Sequence, residues 1–142
     1  TCNVPVIKDI TANLGPIGGL YTALSYSESN QVLIVAGDMP FLNAEFLRYL
    51  LEQGQFTDIA IPRTADGYQP LCASYRHTCV NVVATHIKKR SLKITNLLSD
   101  ITHCEVSEDK MIDFDRNGSM FLNINTPADY ARALSLAAYH AL

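Results

Sequence analysis

An α/β fold built on a mostly parallel sheet is predicted by three features of this 142-residue sequence. Short apolar segments alternate with segments of helical apolar spacing, the pattern of helices crossing over a sheet. One of the short segments, Val32 to Ala36, is a continuous apolar run, as expected of a strand covered on both faces. A capped helix lies near the end, with Thr126 as its cap, Pro127 in its first position and Asp129 in its first turn.

The elements follow in order. Val4 to Ile7 reads as a short strand, which Pro5 confines to an edge or a strand start. Asn13 to Gly19 reads as a Gly/Pro loop, and Leu20 to Ser25 as a helix with Leu20, Ala23 and Leu24 on one face. After the Val32 to Ala36 strand, Asn43 caps a helix running to Gln53. Its buried side is Phe46, Leu47, Tyr49, Leu50 and Leu51. Strands are expected at Ile59 to Pro62, Leu71 to Tyr75, Cys104 to Val106 and Met120 to Ile124. Helices are expected at Cys79 to Ile87, Ser91 to Leu98, and from the Thr126 cap to about Ala138. No repeat, low-complexity tract or long polar linker divides the chain, so residues 1–142 read as one domain.

Hydrophobic residues make up 48% and charged residues 18%, which excludes a disordered chain. The net charge of -3 and the scarcity of clustered Lys and Arg exclude a nucleic-acid footprint. The basic triplet Lys88-Lys89-Arg90 reads as a solvated turn. Cys2, Cys72, Cys79 and Cys104 form no CxxC pair and read as free cytoplasmic thiols, used as small apolar fillers. No apolar run approaches 18 residues, so no membrane span is expected.

The segment VLIVAGDMPFL, Val32 to Leu42, carries the first functional signal. Ligands of open parallel sheets bind beyond the carboxyl ends of strands. Asp38 stands at such an end, and Met39-Pro40 forces the chain out of the sheet immediately after it. A carboxylate there suits Mg²⁺, which is commonly held by one or two carboxylates, waters and phosphates. The alternative is that Asp38 caps a turn or pairs with a base. Gly15, Gly18 and Gly19 precede a helix whose N-terminal N–H groups favour phosphate, or they serve close helix–sheet packing.

Four segments in order, VIKD…GPIGGLYTAL, VLIVAGDMPFL, IPRTADGYQPLCASY and FLNINTPADYARAL, resemble the molybdenum cofactor guanylyltransferase family over nearly the whole chain. The resemblance implies a Rossmann-like three-layer nucleotidyltransferase fold, of the nucleotide-diphospho-sugar transferase type, with a mixed sheet. It implies transfer of GMP from GTP to the terminal phosphate of molybdopterin, with Mg²⁺ and loss of pyrophosphate, in the cytoplasm. Other proteins of molybdenum cofactor biosynthesis are implied as partners.

Residue by residue, Asp38 matches the family's metal ligand beside the nucleotide and would be the catalytic position. Asp9, Gly15, Pro16, Gly18 and Gly19 match the nucleotide border. Asn123, Asn125, Gln69 and Pro70 match the side where the pterin substrate sits. Asn123 could instead satisfy backbone groups, and Tyr68 with Gln69 could simply shape their loop. Arg90 could meet the pterin phosphate or remain solvated. No nucleophilic side chain is required, and His77, His86, His103 and His140 read as surface or satisfied histidines.

The family's opening strand and loop, LAGGxSxRMGxxK, has no counterpart in this sequence. The chain is therefore expected to be the C-terminal portion of a longer protein. Its Val32 to Ala36 strand would lack a neighbour on one edge, and the chain would be inactive alone. Two other functions are compatible with the same residues. One is a cytidylyltransferase of the same cofactor, or another small-substrate nucleotidyltransferase. The other is a non-catalytic remnant that binds a nucleotide or a partner. A phospho-receiver domain is disfavoured, because its acidic pair and lysine cannot both be placed.

Overall fold

The computed structural model describes residues 3–140, with side chains as far as residue 138. Cys2 and the His140 side chain lie outside the described residues. The order is α1 (Pro16–Tyr26), β1 (Gln31–Val35), α2 (Ala44–Gln53), β2 (Ile59–Thr64), β3 (Gly67–Tyr68) and β4 (Cys72–Arg76). Next come α3 (Cys79–Lys88), a 3₁₀ segment (Ile94–Ser99), β5 (His103–Val106), α4 (Glu108–Met111) and α5 (Pro127–His140).

The sheet runs β1-β4-β2, and β2 also pairs with β3 and β5. Strand β4 is antiparallel to both β1 and β2, whereas β2 and β5 are parallel. Hence β1, β2 and β5 share one direction, and β4 is inserted against them. The expected mixed sheet is present, but its one parallel pairing among the described residues is β2 with β5. The run from Gly67 to Arg76 explains this. It returns alongside β2 as β3, bulges at 69–71, and continues as β4.

Alternation along the strands sends side chains to two cores, one on each face. Ile59 and Ile61 of β2 and Ala73 and Tyr75 of β4 pack with Ile17, Leu20 and Leu24 of α1 and Val83 of α3. On the other face, Cys72 of β4 and Val106 of β5 pack with Phe46 and Leu50 of α2, Met39, Met111 and Met120. Helices therefore cover both faces. Strand β1 touches both cores through Val32, Leu33 and Ile34, yet Val35 stays 38% exposed. Among the described residues β1 has β4 as its one neighbour, so its outer edge is open.

The Asn43 cap forms as expected, with its Oδ1 accepting from the N–H groups of Glu45 and Phe46. The C-terminal end of α2 docks on the sheet through Gln31. Its Nε2 donates to Leu51 O at 2.7 Å and to Ser74 Oγ at 2.6 Å. Gly54 follows immediately. A Cβ there would collide with Gln31 Nε2 and stand 2.5 Å from Ser74 Oγ. Gly54→Ala is expected to destabilise the fold by about 1–3 kcal/mol through overpacking. A lowered urea midpoint at an unchanged slope would show it.

Several elements differ from expectation. Val4 to Ile7 is not a strand: among the described residues no partner strand lies alongside it, and Val6 is 93% exposed. The first helix begins at Pro16, so Gly18 and Gly19 belong to its first turn rather than to a loop. Ser91 to Leu98 yields a 3₁₀ segment from Ile94, closed by bonds such as Asn96 N–H to Lys93 O. Asn96 Nδ2 also donates to Ser91 Oγ, a local bond that competes with a regular helix start. Met120 to Ile124 is not a strand either. The Asp115 carboxylate takes the N–H groups of Ser119 and Met120, and Leu122 N–H turns back to Ser119 O. Those donors are no longer available to a ladder.

Candidate functional site

Asp38 lies just past β1, at the same end of the sheet as the C-termini of β2 and β5. The last paired residue is Ala36, whose N–H donates to Leu71 O at 2.8 Å. The chain then turns. Met39 goes down into the core at 8% exposure, while Asp38 stays half-buried above it. Its carboxylate has no hydrogen bond or ion pair among the described residues, so neither a turn cap nor a paired base accounts for it. A Cβ on the preceding Gly37 would meet open space. No group of three or more His, Cys, Asp or Glu residues forms a metal cage among the described residues. One unspent carboxylate beside open space suits a cation that keeps waters and takes its other ligands from phosphates.

The expected nucleotide-side residues come together at the start of α1. Gly15 has φ 66°, in the left-handed region where glycine is at ease, and the helix start has no side-chain cap. Asp9 leans on the first turn: a Cβ on Gly18 would stand 3.7 Å from Asp9 Oδ2, and one on Gly19 3.9 Å from Oδ1. The neighbouring chain is tied down because Ile10 N–H donates to Thr22 Oγ1, which itself donates to Gly18 O. Asp9, Gly15, Pro16, Gly18 and Gly19 thus share one corner of the molecule.

The expected acceptor-side residues divide. Gln69 and Asn123 line one cavity of about 620 Å³, with Met111 and Phe121 in its apolar lining. Gln69 is fixed by its N–H to Pro62 O at 2.9 Å and by Nε2 to Thr64 Oγ1 at 3.0 Å. Pro70 does not line that cavity, and its carbonyl accepts the Tyr75 hydroxyl at 2.7 Å. Asn125 does not line it either and sits at the mouth of α5. Asn123 does not satisfy backbone groups, since its side chain has no hydrogen bond among the described residues. Between the two asparagines, Ile124 N–H donates to Asp38 O at 3.0 Å. That one bond joins the acceptor side to the carboxylate loop. A larger cleft, about 720 Å³, lies near Asn43, Asp113 and Arg116 and contains none of the expected residues.

At α5 the cap is reciprocal. Asp129 N–H donates to Thr126 Oγ1, and Asp129 Oδ2 accepts from Thr126 Oγ1 and N–H and from Asn125 N–H. The Thr126 hydroxyl, then these N–H groups, hold the Asp129 carboxyl below the usual range. The folded-state value is depressed, so this support is complete above the unfolded aspartate value of about 4 and fades as pH falls below it. Helicity followed by circular dichroism should show an acid step below about pH 4 that Asp129→Ala removes.

Tyr68 shapes its strand rather than facing the cavity. Its hydroxyl donates to Glu105 Oε2 at 3.0 Å, and Arg63 lies 5.2 Å over its ring. Arg90, at φ 59°, is exposed beside Lys88 and Lys89, the solvated arrangement. His86 is buried and paired with Asp100 at 2.7 Å. Burial pushes the Cys72 thiol up to about 12 and the Cys79 thiol up to about 11, so both act as fillers. Thr64, Asp66, Glu108 and Arg132 also line the cavity and were not anticipated. The turn sequence TADG could have signalled Asp66.

A mixed α/β sheet with helices on both faces and a carboxylate at a strand end is the frame of an α/β domain that takes its ligand beyond the strand ends. Residues 1–102 match the model of the MobA-like NTP transferase domain. The chain belongs to that family. It is 32% identical over 132 residues to a protein of Pelotomaculum thermopropionicum named probable molybdenum cofactor guanylyltransferase, covering 93% of this chain and 64% of the relative. A Clostridium perfringens protein of the same name is 33% identical, with 88% and 64% covered. Molybdopterin-guanine dinucleotide biosynthesis protein A from Archaeoglobus fulgidus superposes with a TM-score of 0.78 at 30% identity, over 88% of this chain and 64% of that one. The chain thus spans about 64% of the length of these relatives.

Proposed function

We propose that the protein transfers GMP from GTP to the terminal phosphate of molybdopterin, with Mg²⁺ and release of pyrophosphate. The observation that carries this reading is the juxtaposition at Asp38. An unpartnered carboxylate at the end of β1 is bonded through its loop to the segment bearing Asn123, in a chain of the MobA-like family. The names of the relatives supply GTP and the pterin cofactor as substrates. Asp38 would hold Mg²⁺, which when bound neutralises charge on phosphate oxygens.

Asp9 and the Gly15 to Gly19 corner would border the nucleotide. Asn123 and Gln69 would position the acceptor, with Asn125 and Pro70 supporting from behind. A phosphate oxygen of molybdopterin attacks the α-phosphorus, the bond to the β-phosphate oxygen breaks, and pyrophosphate leaves. The chain's contribution is to hold attacker and leaving group in line, and no nucleophilic side chain takes part. We assign the reaction to the cytoplasm. No helix among the described residues is long and apolar enough to cross a membrane.

The test is transfer from labelled GTP or CTP to molybdopterin, read as dinucleotide and pyrophosphate. Product from GTP at least about 10-fold above that from CTP, a preference of about 1.4 kcal/mol, is expected. A preference for CTP would make this the cytidylyltransferase. Mg²⁺-independent nucleotide binding without product would favour a non-catalytic role.

A further inference from the structure

We propose that Asp66 reads the 2-amino-4-oxo edge of the acceptor's pterin ring, an inference that rests on the transfer reaction proposed above. The cavity that holds Gln69 and Asn123, about 620 Å³, is within the range of small-molecule sites, and its lining mixes apolar side chains with a few polar groups. Three of its lining residues are carboxylates. Two are already engaged: Glu108 Oε1 accepts from Ala65 N–H at 2.6 Å, and both oxygens of Asp115 accept backbone N–H groups. Asp66 is different. Its backbone N–H donates to Thr64 Oγ1, and Gly67 at φ 111° completes the turn, so its backbone is set. Its carboxylate has no hydrogen bond or ion pair among the described residues.

An unspent carboxylate presents two coplanar acceptors. Their complement is a planar pair of parallel N–H donors, as in carboxylate–guanidinium pairing. The 2-amino group and adjacent ring N–H of a pterin form such a pair. Guanine carries the same edge, so the chemistry alone admits GTP as its source. Placement favours the pterin. Asp66 shares its cavity with Gln69, Asn123 and Met111, and Met111 belongs to the core under α2. The Asp9 and Gly15 corner lies instead at the start of α1, where Leu14 just before the helix and Ile17 within it pack in the core on the opposite face.

The experiment compares binding of free pterin and of lumazine, which has an oxo group where pterin has the 2-amino, by fluorescence titration. Mg·GTP binding is measured in parallel. The protein is expected to prefer pterin by about 10- to 100-fold, the range of a charge-assisted pair. Asp66→Asn should abolish that preference, because the amide can donate to the lumazine oxygen. The exposed turn should leave circular dichroism and Mg·GTP binding unchanged. A preference that survives in Asp66→Asn, with Mg·GTP bound normally, overturns the role of Asp66 and leaves the transfer reading standing. Weakened Mg·GTP binding with an intact pterin preference also overturns it and gives the carboxylate to guanine. A wild-type protein that binds neither pterin nor Mg·GTP overturns both.

Discussion

Asp38→Ala should lower Mg²⁺-dependent transfer by about 100- to 1,000-fold while leaving thermal stability unchanged, since a metal contact on reacting phosphates supplies several kcal/mol. The split between the two readouts follows from the site. The carboxylate is half-buried and makes no hydrogen bond within the described chain, so its removal costs the fold no partner. What the fold uses at this point is the backbone, through the Ile124 N–H to Asp38 O bond, which alanine preserves. Asp38→Asn keeps the shape and removes the charge, and should fall by nearly as much. A variant that keeps wild-type turnover and its Mg²⁺ requirement would remove Asp38 from the site.

Phe46→Ala should destabilise the protein by about 3–5 kcal/mol, the range for emptying a fully buried aromatic position. Phe46 is 0% exposed and lies at the centre of the core under α2. Its ring meets Phe114 at 5.5 Å and Phe121 edge-on at 6.1 Å, contacts that add to simple burial. For a chain of this length the melting temperature should drop by roughly 10 °C. Phe121 also lines the cavity of Gln69 and Asn123, and Met39 below Asp38 packs in the same cluster. Acceptor binding should therefore weaken together with stability. A melting temperature within a degree or two of wild type would mean that the surrounding rings collapse into the space.

What the sequence made legible was local. Asn43, Thr126 and Pro127 announce helix starts through chemistry confined to one turn, and all fall where expected. The apolar runs of β1, β2 and β4 are recognisable because burial on two faces leaves little room for polar residues. Asp38 was legible because Pro40 compels a turn whatever the surroundings. The rest depended on distant partners. Nothing between Met120 and Ile124 reveals that Asp115 captures their donors. The 69–71 bulge, which places Gln69 in the cavity and Pro70 outside it, arises from pairing with β2. Asp66 shares its cavity with Asn123, far along the chain, and no periodicity reports such a meeting.

The insertion of β4 between β1 and β2 has a consequence for the order in which the molecule assembles. Neither β1 nor β2 can find the other directly, because the strand that joins them is made after both. The return from β2 through β3 to β4 spans few residues and can close early. Strand β1 must hold its apolar side chains in waiting until Arg76 has been synthesised, its partner in register being Gln31. Closing the longer loop carries more entropy and comes later. In a refolding experiment followed by pulsed hydrogen exchange, the amides of β2 facing β4 should gain protection before those of β1. During synthesis, the strand that leads into Asp38 stays without its neighbour until β4 has been made.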